Sequence, residues 1–240
     1  MLQACLNGDR TKAFHPGVPC TPDELAADAR AVVAAGAEEL HLHPRGADGR
    51  ETLDADAVAE ALRAVRAAAP GVLVGISTRW AIPPGGRARQ APMRAWTVRP
   101  DYVSVNLAEE DAPEVMSLML EQGIGIEAGL ASLADARRFA TLPERDRCLR
   151  VLVEVEEQEE AAARAVAAGI VEVLDAAGIG LPRLLHGFEA SVWPLHRDAL
   201  ARGLDTRIGL EDGNLLPSGE RAEGNAALIR AARAMARAMA

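Results

Sequence analysis

The sequence predicts an α/β protein folded as a (β/α)8 barrel, the TIM-barrel architecture. Short β-like runs alternate about eight times with amphipathic stretches rich in Ala, Arg and Glu along the 240 residues. The connections are short, which is typical of parallel strands joined by crossover helices. The chain shows no linker and no low-complexity tail, so we expect residues 1–240 to form a single domain.

Eight apolar runs bounded by polar or glycine-containing turns predict the strands. They lie at Leu2–Asn7, Glu39–His43, Val72–Ser77, Tyr102–Asn106, Ile124–Glu127, Leu149–Glu154, Leu184–Gly187 and Thr206–Glu211. Alternation with period two supports them, since Leu2, Ala4 and Leu6 share one face of the first strand. A barrel strand buries that face against helices and directs the alternate face into the lumen.

Helices are predicted between the strands, near residues 22–35, 54–69, 111–122, 132–141, 157–176, 190–202 and 220–239. Thr21 and Pro22 supply a capping residue and a first-turn proline for the first of them, and Gly36 and Gly123 end helices at their C-termini. The segment 79–99 is rich in proline and glycine and is predicted as a long loop with little helix.

Composition excludes several classes of protein. The net charge of −9 and the pI near 5.1 disfavour binding to nucleic acid or anionic membranes. No apolar run approaches the roughly 18 residues of a membrane span, and the N-terminus lacks the pattern of a secretory signal. Cys5, Cys20 and Cys148 are odd in number and form no CxxC, so we expect free thiols in the cytoplasm.

The residues and motifs present in the sequence also argue against several kinds of catalytic or nucleotide-binding site. Lys12 is the only lysine, so Schiff-base, P-loop or pyridoxal chemistry would all have to use this one residue. It follows the first predicted strand in a polar turn, where we expect it to be solvated. The GxSxG of serine hydrolases and the GxGxxG of dinucleotide-binding folds are both absent.

Polar residues end nearly every predicted strand on its lumen-facing side. These residues are Asn7, His41, His43, Ser77, Asn106, Glu127, Glu154, His186 and Glu211. Barrel active sites are built at this C-terminal rim, so the ring is a candidate site. The alternative is that strand ends become polar simply because they reach solvent.

The segment His41-Leu42-His43-Pro44-Arg45 is the most informative one. Two histidines at positions i and i+2 of a strand lie on one face, with Cα atoms roughly 6.5 Å apart. Both imidazoles can therefore converge on one metal ion, although a lone core histidine is usually just hydrogen-bonded. We predict that His41 and His43 are metal ligands.

Glu211 and Asp212 complete the candidate site. Glu211 ends the eighth strand, which flanks the first strand of a closed barrel as the second strand does, so Glu211 can supply a third, anionic ligand. Two His and one Glu with an open position form a catalytic metal arrangement. Asp212 falls just past the strand and is the candidate general base. The alternative for both carboxylates is capping of the loop around Gly213.

Several further residues are candidates for binding the substrate. Arg207 enters the lumen below Glu211 and needs a carboxylate partner from the protein or from a substrate. Arg45 can receive a substrate acid, and Ser77 and Thr78 offer hydroxyls at the end of the third strand. Asn106 holds the corresponding position on the fourth strand. The acidic run 154–160, by contrast, is expected to be a solvated helix start.

Together these motifs resemble the β-keto acid cleavage enzymes, whose founding activity is 3-keto-5-aminohexanoate cleavage. The HxHxR motif at residues 41–45 and the RxGxED motif at residues 207–212 are the most specific. The likeness extends over nearly the whole chain. It also includes the segments 7–12, 16–22 and 35–37, the Ser77-Thr78 pair and Asn225.

The resemblance implies a TIM barrel with a divalent metal, usually zinc, held by His41, His43 and Glu211. It implies a reaction in which a β-keto acid and acetyl-CoA give acetoacetate and a new acyl-CoA. In that scheme the metal polarises the keto acid, and Asp212 acts as the base, positioned by Arg207. Residues at the positions of Ser77 and Asp9 help to hold the substrate, and the family implies a homo-oligomer.

The chain departs from the family pattern at three places. Asp9 stands where the family usually has Glu, and Arg79-Trp80 stand where it has Gly-Gly. The segment Leu107–Asp111 replaces a glycine-rich segment after the fourth strand. In the family these places lie where the acyl chain and coenzyme A should sit.

Two other functions remain open from the sequence. One is a divalent-metal carbon–carbon lyase or isomerase that acts on a small oxo acid without coenzyme A. The other is a vestigial barrel that binds a ligand as a regulatory module. The regulatory module predicts decay of the metal-binding set, and His41, His43 and Glu211 are all present.

Overall fold

The computed structural model describes residues 1–239. Eight parallel strands close into a barrel in chain order, and the last strand pairs with the first. The strands are β1 (Leu2–Cys5), β2 (Glu39–Leu42), β3 (Leu73–Ser77), β4 (Tyr102–Asn106), β5 (Gly125–Leu130), β6 (Arg150–Val155), β7 (Arg183–Gly187) and β8 (Asp205–Ile208). The prediction of a TIM barrel is confirmed.

One helix follows each strand. The helices are α1 (Pro22–Ala35), α2 (Ala55–Ala68), α3 (Gln90–Arg94), α4 (Ala112–Glu121), α5 (Leu133–Ala140), α6 (Glu160–Ala176), α7 (Val192–Ala201) and α8 (Asn225–Met239). Helix α3 has only five residues and lies within a long connection, as the proline and glycine content of segment 79–99 indicated. Within residues 1–239, none of the helices has both the length and the apolar character needed to cross a bilayer.

Local sequence explains how α1 begins and ends. The Thr21 side chain accepts a hydrogen bond from the backbone NH of Glu24, while the Glu24 carboxylate accepts one from the backbone NH of Thr21. This capping box satisfies donors that the first helical turn leaves free. Gly36 ends the helix with φ of 112°, a backbone conformation that glycine adopts without steric cost.

The core lies between the barrel and its helices. Outward-facing strand residues are fully buried there, among them Ala4, Ile76 and Val103. The apolar faces of the amphipathic helices cover them, as Leu62 of α2 does. Burial of this continuous layer is the main term that stabilises a barrel of this kind.

Three strands end earlier than predicted. Strands β1, β2 and β8 stop at Cys5, Leu42 and Ile208, so Asn7, His43 and Glu211 lie on the loops that follow. Just after the end of β8, the chain lies so close to β1 that a Cβ at Gly209 would overlap the backbone of Cys5. Two residues further on, Glu211 lines the cavity of the barrel.

The prediction for Glu127 is wrong. Strand β5 continues to Leu130, so Glu127 lies near the start of the strand, deep in the lumen and fully buried. The side-chain amide of Gln3 donates to Glu127 at 2.8 Å and to the Tyr102 hydroxyl at 2.9 Å, and the Arg150 guanidinium lies 3.0 Å from Glu127. These side chains fill the N-terminal half of the lumen, which leaves the C-terminal half for the site.

Candidate functional site

A cavity of about 540 Å³ opens at the C-terminal ends of the strands. Its wall combines residues from strand ends and from the loops that follow them, including His41 of β2, Asn106 of β4 and Glu154 of β6. The loop after β1 contributes Gly8, Asp9 and Arg10. This is the end of the barrel at which TIM-barrel enzymes bind their substrates.

His41, His43 and Glu211 meet on one side of this cavity. The Nε2 atoms of the two histidines lie 3.3 Å apart. Oε1 of Glu211 lies 3.9 Å from Nε2 of His41 and 3.5 Å from Nε2 of His43. Each residue therefore presents one potential ligand atom to a common point, as predicted from the spacing of the two histidines and the closure of the barrel.

The distances and the chemistry of these three atoms fit a divalent metal ion. Ligand atoms about 2.0–2.2 Å from a tetrahedral zinc ion lie roughly 3.3–3.5 Å from one another. Of the three remaining polar atoms of these side chains, Nδ1 of His43 contacts Glu51, whereas Nδ1 of His41 and Oε2 of Glu211 are buried and without hydrogen-bond partners in the described chain. Two imidazoles and one carboxylate are typical ligands of a catalytic zinc site.

The electrostatics of the two histidines differ. Burial, together with the charges of Arg207 and His43, lowers the pKa of His41 to about 3, so its imidazole is neutral. Burial opposes a charge on His43 as well, but the carboxylates of Glu211 and Glu51 raise its pKa to about 9. The same two carboxylates that stabilise a proton on His43 would stabilise a metal cation beside it.

Glu51 is a site residue that the sequence did not reveal. Its Oε1 lies 2.5 Å from Nδ1 of His43, on the side of the ring away from Glu211. The guanidinium of Arg79 donates to Glu51 in turn and also pairs with Asp9. A carboxylate behind a metal-ligating histidine fixes the orientation and the tautomer of the ring. No motif marked Glu51, because it lies in the loop after β2.

Arg207 and Asp212 form a buried pair beside Glu211. One guanidinium nitrogen of Arg207 lies 2.6 Å from Oδ1 of Asp212 and 2.9 Å from Oε1 of Glu211. Both carboxylate partners of the arginine therefore come from the protein. Burial outweighs the attraction of Arg207 and raises the pKa of Asp212 to about 7. Asp212 lies behind the cavity wall, and its Oδ2 has no partner among the described residues.

Three of the predicted substrate-binding residues line the cavity. Asp9 is half-exposed at the mouth and forms an ion pair of 3.1 Å with Arg79. Ser77 ends β3 near the histidines and accepts a hydrogen bond from the backbone NH of Arg79. Asn106 ends β4, and its side-chain amide donates to Glu109 at 3.3 Å.

The structure places Arg45 and Thr78 away from the cavity. The guanidinium of Arg45 donates to the carbonyls of Gly8, Arg10 and Gly49, and so holds the loops after β1 and β2 together. The hydroxyl of Thr78 is fully buried and donates to the carbonyl of Ser104 at 2.7 Å. Two guanidinium nitrogens of Arg45 and the hydroxyl of Thr78 thus bond within the protein, which gives both residues a structural role.

Two rim residues did not receive a role from the sequence. Glu154 lines the cavity, although the acidic run that it begins is otherwise the start of a helix, with Glu159 capping α6. His186 of β7 is buried, and neither of its ring nitrogens has a hydrogen-bond partner in residues 1–239. Period-two alternation placed both side chains in the lumen, but their surroundings depend on the neighbouring strands.

A protein-family model matches the full length of the sequence. The model described as beta-keto acid cleavage enzyme covers residues 1–240. It therefore includes the two histidines at the end of β2 and the carboxylates after β8.

Curated relatives match over shorter segments. A 3-keto-5-aminohexanoate cleavage enzyme from Fusobacterium nucleatum is 35% identical over 79 residues, which are 33% of this chain and 29% of that protein. A 3-oxoadipate:acetyl-CoA acetyltransferase from Cupriavidus necator is 32% identical over 104 residues, 42% of this chain and 34% of that protein. The matched segments thus span about a third of the length of these relatives.

Solved structures of other proteins have the same barrel fold as this chain. The ternary complex of ObcA with a C4-CoA adduct and oxalate superposes with a TM-score of 0.77 at 18% identity, over 93% of this chain and 64% of that one. A 3-dehydroquinate dehydratase from Geobacillus kaustophilus gives 0.64 at 13% identity, over 99% of this chain and 90% of that one. At these identities the likeness establishes the fold alone.

Proposed function

The chain belongs to the β-keto acid cleavage enzyme family, and from this premise we propose that it transfers an acyl group from a β-keto acid to coenzyme A. The keto acid R–CO–CH2–COO⁻ and acetyl-CoA would give acetoacetate and R–CO–S-CoA, so that every atom is conserved. The observation that carries the proposal is the convergence of His41, His43 and Glu211 in a cavity beside the Arg207–Asp212 pair.

His41, His43 and Glu211 would hold a divalent ion, for which we propose Zn²⁺. When bound, such an ion supplies a Lewis acid that polarises a carbonyl oxygen of the keto acid. The neutral imidazole of His41 and the ionised carboxylate of Glu211 are the protonation states that metal binding requires.

Asp212 is the proposed base, and it would take a proton from the carbon between the two carbonyl groups of the keto acid. Arg207 orients the carboxylate through its hydrogen bond to Oδ1, which leaves Oδ2 free to accept the proton. Asp212 lies behind the cavity wall, so substrate binding has to bring the reacting carbon close to it. Ser77, Asn106 and Asp9 are proposed to hold the rest of the substrate.

We also propose that the protein acts in the cytoplasm as a homo-oligomer. All three cysteines are free in the structure, as expected in a reducing compartment. The oligomeric state rests on the family resemblance, and light scattering after size-exclusion chromatography measures it directly.

The test uses the metal-loaded protein with acetyl-CoA and a panel of β-keto acids, with acyl-CoA products followed by mass spectrometry. A new acyl-CoA formed together with an equal amount of acetoacetate is the expected result. Consumption of a keto acid with acetyl-CoA untouched would replace the proposal by the lyase or isomerase reaction. An absence of turnover across the panel, with metal bound, would contradict both.

A further inference from the structure

Two of the three proposed metal ligands lie beyond the ends of their strands. Strands β2 and β8 stop at Leu42 and Ile208. His43 and Glu211 therefore lie outside the strand pairing that closes the barrel. A functional site needs its side chains in place to within about 0.5 Å, so other parts of the chain have to hold these two loops.

The side-chain amide of Asn7 holds the backbone of His43. Its Oδ1 accepts a hydrogen bond from the backbone N–H of His43 at 2.8 Å, and its Nδ2 donates to the carbonyl of His43 at 2.9 Å. The same Nδ2 donates to the carbonyl of Pro19 at 3.1 Å. One carboxamide thus satisfies both backbone groups of His43, as a neighbouring strand does inside a sheet.

The side-chain amide of Asn225 joins the loops after β8 and β1. This residue begins α8, and its Oδ1 accepts a hydrogen bond from the backbone N–H of Leu210 at 2.7 Å. Its Nδ2 donates to the carbonyl of Leu6 at 2.8 Å. Leu210 directly precedes Glu211, and Leu6 directly precedes Asn7. Asn225 therefore fixes the backbone next to one metal ligand and next to the amide that holds the other.

Both amides are buried, and their hydrogen-bonding groups are used within the protein. Asn7 and Asn225 are almost completely inaccessible to solvent. Nδ2 of Asn225 donates a second hydrogen bond, to Oδ2 of Asp28 at 2.6 Å. Asn and Gln are the residues whose side chains combine two N–H donors with a carbonyl acceptor. A shorter or apolar side chain would leave buried backbone groups of both loops without partners, which is costly enough to make the loops move.

The loops after β1 and β8 also meet directly at the metal site. A Cβ at Gly8 would overlap Cγ of Glu211, so the Glu211 side chain packs against the backbone immediately after Asn7. A shift of the loop after β1 would therefore displace Glu211 as well as His43. Within residues 1–239, the cavity is lined by Gly8, His43 and Glu211 but by neither asparagine. Asn7 and Asn225 thus act on the ligands and do not contact a substrate.

We propose that Asn7 and Asn225 are positioning residues of the metal site, which hold His43 and Glu211 at the distances that a divalent ion requires. The inference rests on the metal ligands of the proposed function and is independent of the keto acid and of coenzyme A. The two amides continue the contacts of β1 with β2 and β8 past the strand ends. The affinity for the ion therefore depends on two residues that do not touch it.

The first test measures the affinity for Zn²⁺ by competition with a chelator. Asn7→Ala and Asn225→Ala should each lower this affinity by about 10- to 100-fold, as expected for residues that orient metal ligands. Asn214→Ala is the matched control, because Asn214 follows Glu211 in the same loop and its side chain forms no hydrogen bond within residues 1–239. It should bind Zn²⁺ as the wild type does. Wild-type affinity in either test variant would overturn the proposal for that asparagine.

A second control separates ligand geometry from stability. Leu62→Ala opens the apolar core at a fully buried position of α2 and should destabilise the fold without changing the affinity for Zn²⁺. Co²⁺ bound in place of zinc reports coordination geometry through its visible absorption. The Co²⁺ spectra of Asn7→Ala and Asn225→Ala should differ from that of the wild type, and the spectrum of Leu62→Ala should match it. An equal loss of affinity in Leu62→Ala would show that metal binding follows overall stability and would overturn the proposal.

Where an alanine variant does not fold, Asn7→Asp or Asn225→Asp keeps the shape of the side chain and one acceptor but loses the donors. These variants should show the same loss of affinity for Zn²⁺, and wild-type affinity in them would overturn the proposal.

Amide hydrogen exchange, followed by NMR, tests the two contacts without metal or substrate. The backbone N–H of His43 should exchange at least about tenfold faster in Asn7→Ala than in the wild type, and that of Leu210 should do so in Asn225→Ala. If no β-keto acid is turned over but both variants lose affinity for Zn²⁺, the positioning role stands and the proposed reaction fails. Intact turnover with unchanged exchange and affinity in both variants would overturn the positioning role and leave the proposed function.

Discussion

Nδ1 of His43 lies 2.5 Å from Oε1 of Glu51, so a carboxylate stands directly behind one of the two imidazoles of the proposed metal site. The ring is held from both sides, because its Nε2 faces Glu211 at 3.5 Å. Arg79 orients Glu51 in turn. Through these contacts the loops after β2 and β3 position one histidine of the proposed metal site.

Replacing Glu51 should therefore weaken metal binding without removing a ligand. We expect Glu51→Gln to lower the affinity for Zn²⁺ by about 10- to 100-fold, since the second partner of a ligating histidine fixes its orientation and basicity. Competition with a chelator measures the affinity. Glu60→Gln, on the exposed side of α2, is the matched control. Equal affinities for Zn²⁺ in the two variants would contradict a role for Glu51 in orienting His43.

Removing a ligand itself has a larger effect. His43→Ala should lose bound metal, with the fold intact, because His43 lies on the loop after β2 and not in the apolar core. Metal content by mass spectrometry and circular dichroism measure the two properties. His15→Asn, outside the site, should retain the metal. Full occupancy in His43→Ala would remove His43 from the ligand set.

The proposed role of Asp212 as the base is tested by replacing its carboxylate with an amide of the same shape. Asp212→Asn cannot accept a proton, so kcat should fall by about 10²- to 10⁴-fold while metal content is unchanged. Asp146→Asn, at an exposed position, is the control. Substantial activity in Asp212→Asn would show that another group abstracts the proton.

Asp28 on α1 should make stability depend on pH. Burial raises its pKa to about 7, against the hydrogen bond from Asn225. Between about pH 4 and pH 7 the folded protein thus keeps a proton that the unfolded chain has lost, so the free energy of unfolding falls as the pH rises. Asp28→Asn should be more stable than the wild type by about 1–2 kcal/mol at pH 8, since the partly exposed carboxyl is screened by solvent.

The difference between Asp28→Asn and the wild type should disappear below about pH 3, where Asp28 is protonated in both the folded and the unfolded state. Urea unfolding at a series of pH values measures it. A difference that does not change with pH would mean that the substitution acts through packing and not through the charge.

We expect a side chain at Gly209 to disturb the contact between the chain after β8 and strand β1. In Gly209→Ala the new methyl group would overlap the backbone of Cys5, so β8 and the loop that carries Glu211 must shift. We expect a loss of about 3 kcal/mol in the free energy of unfolding, together with weaker metal binding. Gly180→Ala, where a Cβ meets no other atom within 4 Å, should change neither property.

The order of strands and helices could be read from the sequence because it depends on local periodicity. Alternation along each strand separates the core face from the lumen face, and capping signals such as Thr21 and Pro22 mark where helices begin. The proximity of His41 and His43 could also be predicted, since side chains two residues apart in extended chain lie on one face, although His43 is just beyond the end of β2. The proximity of Glu211 to the two histidines could be predicted with one added assumption, which is that the barrel closes.

Tertiary structure decided what surrounds each of these side chains. Glu51 reaches His43 through a loop whose path no periodic pattern encodes, and Arg45 donates to backbone carbonyls of the loops after β1 and β2. Glu127 lies deep in the lumen because β5 extends three residues further than its sequence suggested. The partners of a lumen side chain come from strands far apart in the chain, so only the closed barrel determines whether Glu154 faces a cation, a glycine or open space.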